Sequence, residues 1–569
     1  MKSILYVLCV LGGFHSAFAL DRTAFIFTDY NLQVKIIPAT GSLEVHGKIT
    51  LRNDTFQPQR NPVLQISSTL QWNSITVGGE VVQYLAQTYT SDIDHTGALS
   101  EAILTLPKPI PPQGSLEIDV AYSGTVPQDT TRLTRIGTPA GKATRSDWDQ
   151  IGDSFVGVRG IGYVAWYPVA TSAANLSEGN SFFEVVGAWK ERESRSNLRA
   201  SFCWTGGGQL IANDTPAGTT QARSAAGGNC RDLVYAPLGF TVPTFVLGNY
   251  RVLNQPPTTV DYLEGHELDA RAWADAGEKV ALVIAQWFGP RKQPVQVVQL
   301  PGSDYFPFES GTILFTPLRG REPQEMQLVL AHQLTHASFH SRRPWINEGA
   351  AHFAQALERE QQEGRKAALA YMDNQLPPLQ QAEKAVPSGS GNSSTGQSLI
   401  TSTDEVFYRT KAMFVWWMLR DMVGDDALGR AIREYRADHD NEPSYFQRLL
   451  AEQYHRNLEW FFDDWVYRDR GLPDFRITAV YPRNLLPQDW SVTVTVENLG
   501  TAGADVPVIV RAAQGEALKR LEIHSREKGM VVRIPIPATP EQAVVNDGSI
   551  PESNMENNTQ PIKTQQASQ

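Results

Sequence analysis

Short runs in which apolar and polar residues alternate fill the first half of the chain, among them Leu32 to Ile37, Ser42 to Leu51 and Leu116 to Tyr122. A period of two puts one face of each run toward a core, and turn residues separate the runs. Residues 21 to 253 therefore predict antiparallel β-strands arranged as a sandwich or saddle. Within them the polar, Gly/Thr/Asp-rich stretch 125 to 151 predicts a surface loop. More strands are expected from Val158 to Asn249, with Trp166 and Tyr167 as core residues. Helical spacing of apolar positions starts near Leu268, pauses for a strand at Val295 to Leu300, resumes at Leu328 and persists to about Asp469. Residues 382 to 397, rich in Ser, Gly and Pro, predict a mobile loop. From Pro473 the period returns to two, in 475 to 480, 490 to 496, 506 to 511 and 529 to 534. That predicts a terminal β-sandwich of about 90 residues. The polar tail after Asn558 is expected to fray.

The pattern is thus β, then α, then β, an α+β multidomain chain. Its 569 residues suffice for several cores, and 41% hydrophobic with 20% charged residues is ordinary globular composition. A net charge of −11 without any basic run excludes a phosphate-neutralising surface and hence nucleic acid as a partner. Residues 1 to 19 join Lys2, an apolar run from Ile4 to Phe14, and Ala17-Phe18-Ala19. This order predicts a secretory signal, with a run too short to span a membrane. Cys9 would leave with it. Cys203 and Cys230 remain, an even pair in an exported chain, read as a disulfide between neighbouring strands with two free thiols as the alternative.

The chemistry concentrates in residues 328 to 357. His332 and His336 are one helical turn apart on one face, about 6 Å along the axis. Random placement of 11 histidines in 569 residues gives about 0.2 pairs at this spacing, and this segment holds two, counting His336 with His340. A break at Ser341 to Pro344 lets a second helix, with Pro suited to its first turn, carry Glu348 back toward the first. Two imidazoles and a carboxylate form a three-ligand zinc site with an open fourth position. The alternative is a helix whose histidines pack or face water. His340 lies about 12 Å along the helix from His332, too far to share its ion. His352, one turn beyond Glu348, orients that carboxylate or lines the cleft, or else packs partly buried, and Asn347 is a further residue expected to support the ligands.

The segment resembles the membrane alanyl aminopeptidase family of zinc metallopeptidases, gluzincins of thermolysin-like fold. Their signature is H-E-x-x-H followed by W-L-N-E-G-F-A. His332 and His336 match the histidines, and Trp345 to Ala351 matches the second motif in five of seven positions. Eleven residues separate His336 from Glu348, fewer than the family's usual eighteen. Gln333 stands where these peptidases have the Glu that accepts a proton from water, and a carboxamide cannot do so. The resemblance implies a β-saddle over residues 20 to 253, a mostly helical thermolysin-like domain over 254 to 472, and one zinc ion. It also aligns Phe308, Glu309 and Gly311 with an edge strand that binds substrate backbone, with Phe308 falling where the family has a Glu. Tyr408 corresponds to a tyrosine that stabilises the oxyanion, although Lys411 comes one residue late; a helix-start tyrosine is the alternative reading. Residues 473 to 560 resemble immunoglobulin-like, cell-adhesion-related bacterial sandwiches, leaving 561 to 569 as a disordered tail.

The function expected from these readings is that of an exported zinc metallopeptidase-like protein acting on peptides, weakened or silenced by Gln333. A peptide- or partner-binding pseudoenzyme is the second reading, and a surface adhesin with a vestigial metal site the third.

Overall fold

The computed structural model describes residues 20–178, 181–214, 223–225, 228–239, 241–385, 398–402, 404–454, 456–486 and 488–564. The expected signal segment and most of the expected loop at 382 to 397 lie outside these residues. None of the described helices is long and apolar enough to cross a membrane.

The alternating runs of the first half form an eight-stranded sheet with Phe25–Ile37, Ser42–Asn53 and Ser115–Thr125 as adjacent inner strands. Leu32, Val34 and Ile36 point into its core and the residues between them point out. One pairing departs from the expected antiparallel pattern: Phe25–Ile37 runs parallel to Asn197–Trp204. A parallel neighbour needs a long crossover, and the intervening chain supplies it. Trp166 and Tyr167 are fully buried beside this sheet. Cys203 and Cys230 face each other across Asn197–Trp204 and Gly228–Tyr235 and are joined by a disulfide.

Two expectations for this half need correction. The stretch 125 to 151 is largely at the surface between 131 and 142, but it is not all loop: it holds two short helices, Thr131–Arg135 and Ala140–Ser146. Some of its charges are buried, Arg132 against Asp147 at 2.6 Å and Asp149 against Arg159, from just beyond it, at 2.5 Å, while Arg135 and Lys142 stay exposed. Paired charges let a polar sequence go inside, which composition alone hides. The region from 158 to 249 is also not all strand, because α1 (Ser181–Glu193) is a helix.

A five-stranded mixed sheet follows, ordered Arg251–Gln255, Thr258–Tyr262, Val295–Gln299, Ile313–Thr316 and, at the edge, Phe308–Ser310. The helix α2 (Glu267–Phe288) is the crossover between the parallel strands Thr258–Tyr262 and Val295–Gln299. Then come α3 (Pro323–Ser338), α4 (Pro344–Glu363) and α5 (Ala412–Val423), which share one large core containing Trp345, Phe353, Trp416 and Trp417. Between them Leu376–Ala385 is helical, so residues 382 to 385 of the expected loop are helix instead.

Two antiparallel sheets close the chain, one of three strands including Phe475–Leu486 and Asp489–Asn498, the other of four including Ala504–Ala512. Their alternating valines, such as Val492, Val494, Val506 and Val508, are buried. The tail does not fray at once, since Thr559–Pro561 pairs with Pro540–Val545.

Candidate metal centre

Two helix starts set the geometry. Pro323 and Pro344 each sit in the first turn of their helix, where a missing N–H costs nothing. The short extended link between them turns α4 back against α3, so that a helix carrying Glu348 meets one carrying His332 and His336. Gly349 permits the next contact. A Cβ at that position would come 2.6 Å from the Ala412 Cβ and 3.0 Å from Trp416 Nε1, so only a glycine lets α4 lie this close to α5. The Trp416 indole N–H donates to the Trp345 carbonyl at 3.3 Å and pins the same junction.

The donors converge. His332 Nε2 lies 3.0 Å from His336 Nε2, and the Glu348 carboxylate oxygens are 3.6 Å from the first and 3.4 Å from the second. Ligand atoms about 2.05 Å from one tetrahedral ion are about 3.3 Å from each other. The three side chains therefore surround a volume matched to a divalent ion, and a set of two imidazoles and one carboxylate suits zinc. Electrostatics agree. Burial, reinforced by His336, pulls the His332 imidazole down to about 3, which keeps it neutral and able to donate a lone pair. Burial alone would raise the Glu348 carboxyl, but His336, His332 and Arg409 outweigh it and hold Glu348 well below the usual carboxylate range.

Other groups crowd this locus. Glu309, on the edge strand Phe308–Ser310, brings its carboxylate within 3.4 Å of His332 Nε2. Burial raises its pKa, opposed by Arg409. Asn347 lies 3.2 Å from His336 Nδ1, donates to Glu348 at 3.3 Å, and accepts from the Ser341 amide at 3.1 Å. Arg409 Nε is 3.5 Å from Glu348, and its other arm is 3.3 Å from Glu405. Gln333 is fully buried, and neither end of its carboxamide has a hydrogen-bond partner among the described residues.

No family model matches the chain, and no curated protein does. Among solved structures it is similar to an M1 zinc metallopeptidase of Deinococcus radiodurans. A mutant form of that enzyme aligns with TM-score 0.46 and 17% identity over 79% of this chain and 96% of that one. The mutant bound to a Tyr-Ser-Ala substrate gives 0.45 and 16%, over 76% and 91%. The chemistry of the present chain rests on its own side chains.

Of the residues singled out in the sequence, His332, His336, Glu348, Asn347 and Glu309 come together. His340 falls beyond the end of α3 and is exposed. Phe308 packs edge-on against Tyr163, with ring centroids 5.4 Å apart, and Gly311 takes φ +58° in the turn to the next strand. Tyr408 sits in a π-helical stretch, Val406–Lys411, whose wider turns accommodate the extra residue before Lys411. The contact with Glu348 comes from Arg409, whereas the Tyr408 hydroxyl lies against Glu405. Lys411 is buried in a structural ion pair with Glu383 at 2.7 Å and Asp469 at 2.8 Å. Sequence reasoning missed Arg409 and Lys190. Lys190, on α1, lies in the field of Glu405, Arg409 and Glu348. An overlooked amphipathic helix and a tertiary contact hid both, and no spacing signal marks either.

Proposed function

We propose that this is an exported, zinc-binding, peptidase-like protein of the alanyl aminopeptidase type, whose ligands are peptides and whose hydrolytic step is weakened or absent. The convergence of His332, His336 and Glu348 at separations of 3.0 to 3.6 Å supports the metal. A zinc ion held there by these three ligands alone would supply Lewis acidity toward a peptide carbonyl, and one closed by a fourth protein ligand would not.

The chain's own residues set the limits of the chemistry. The edge strand Phe308–Ser310 offers an extended peptide a place to add to the sheet, beside the donors. In this reading the Glu309 carboxylate receives the peptide's ammonium group, and Arg409 provides a donor near a developing oxyanion, joined by Tyr408 only if its hydroxyl leaves Glu405. Gln333 can donate or accept a hydrogen bond but cannot take a proton. Its loss as a base removes about 10²- to 10⁴-fold of rate, or about 3 to 5 kcal/mol of barrier stabilisation. The same residue favours the second reading, in which the cleft binds a peptide or partner without turnover.

The proposal extends to export by residues 1 to 19 and to a saddle over 20 to 253, a thermolysin-like unit over 254 to 472 and an immunoglobulin-like sandwich over 473 to 560. Zinc content and hydrolysis of an aminoacyl amide test its core. One zinc per chain, with hydrolysis no faster than in Glu348→Ala, is the expected result. Absence of zinc would overturn the metal, and fast zinc-dependent hydrolysis would overturn the role given to Gln333.

A further inference from the structure

His352 is on α4, one turn beyond Glu348, and its ring meets the His332 ring nearly at right angles with centroids 5.2 Å apart. Both of its nitrogens are sealed from solvent, and neither has a hydrogen-bond partner among the described residues. A buried imidazole with no partner calls for an explanation, and an ion is one of the few that satisfies it. One ligand atom each from His332, Glu348 and His352 lies within 4.8 Å of the others. Ligands on one tetrahedral zinc are about 3.3 Å apart, so a contraction of at most about 1.5 Å would bring all three onto a shared ion.

We infer that His352 is a fourth protein ligand, closing the coordination position that a hydrolytic zinc site leaves open. This rests on the metal site proposed above and specifies its kind. Sites with four protein ligands are structural, whereas catalytic ones keep a position for water or substrate. Gln333 is consistent with this, because a metal without an open position has no use for a base. Glu309 is the rival fourth donor, at 3.4 Å from His332 Nε2. It sits on a three-residue edge strand with its side chain one-third exposed, while His352 shares a regular helix with Glu348 and has no hydrogen-bond partner among the described residues. In the closed site Glu309 stays free to face a peptide.

Zinc K-edge X-ray absorption of the zinc-loaded wild-type chain counts the imidazoles directly and needs no variant. Three imidazoles are expected. Two would overturn the inference while leaving the His332, His336 and Glu348 site intact, and failure to bind zinc would end both. In chelator competition, His352→Ala is expected to weaken zinc binding about 100-fold or more, beyond the usual effect of a residue that only supports a ligand. Its spectrum should lose one imidazole. An unchanged affinity in a variant whose metal-free form melts with the wild type would overturn the assignment.

Discussion

Gly349 and Ala412 touch across the α4–α5 junction with no room for another methyl group, since a Cβ on residue 349 would come 2.6 Å from that of Ala412. Glu348 is the preceding residue, so this contact sets how far its carboxylate reaches toward the histidines. Gly349→Ala is expected to cost about 1 to 3 kcal/mol of stability through overpacking. It should also weaken zinc binding, because α4 must move away from its packed position. Denaturant unfolding and a zinc titration check the two effects separately.

Arg409 places a cation 3.5 Å from Glu348. Burial lowers its pKa, but Glu405 and Glu348 outweigh that and the guanidinium stays charged. It therefore competes with an incoming ion for the carboxylate. Arg409→Met is expected to tighten zinc binding by roughly tenfold or more at low salt. A Kd no lower than that of the wild type would show that Arg409 positions Glu348 instead of opposing the metal.

How much of this was legible in the sequence divides along local and long-range lines. His332 and His336 are visible because one helical turn fixes their relation, and Pro344 with Glu348 because a helix start and a reversal are local events. The strands Ser42–Asn53 and Asp489–Asn498 were visible from their alternation. Arg409 and Lys190 were not, because each reaches the site through packing of a distant segment. Within 125 to 151, Arg132 and Asp147 read as solvent-facing because a buried ion pair looks polar in isolation. His352 lay between a supporting and a packing role until the orientation of its ring against His332 was known.

Asp261 gives a pH signature away from the metal. It is buried on Thr258–Tyr262 and accepts from Gln296 at 2.6 Å; burial raises its carboxyl to about 6 in spite of that bond. From 3.8 to about 6 the folded state holds a proton that the unfolded state has lost, so stability falls as pH rises through this window. The full span amounts to at most about 3 kcal/mol. Asp261→Asn does not titrate, and its stability relative to the wild type should rise between pH 4 and pH 6.5, as urea unfolding at the two pH values would show. A constant difference would rule out the buried acid as the cause.

The disulfide between Cys203 and Cys230 closes a 27-residue separation in the N-terminal sheet. Loop-closure entropy gives such a link about 3.5 kcal/mol of stabilisation. The double variant C203A/C230A should lose up to that much in unfolding experiments. Its zinc affinity should be unchanged, because the donors sit on helices of the other core.

The central claim is that His332, His336 and Glu348 hold a single divalent ion. Zinc stoichiometry after equilibrium dialysis, on the wild type and on the nearly isosteric Glu348→Gln variant, tests it most directly. One zinc per wild-type chain, with most of it lost from the variant, is the predicted result. A wild-type chain that returns from dialysis without zinc, or a variant that retains it undiminished, would contradict the account.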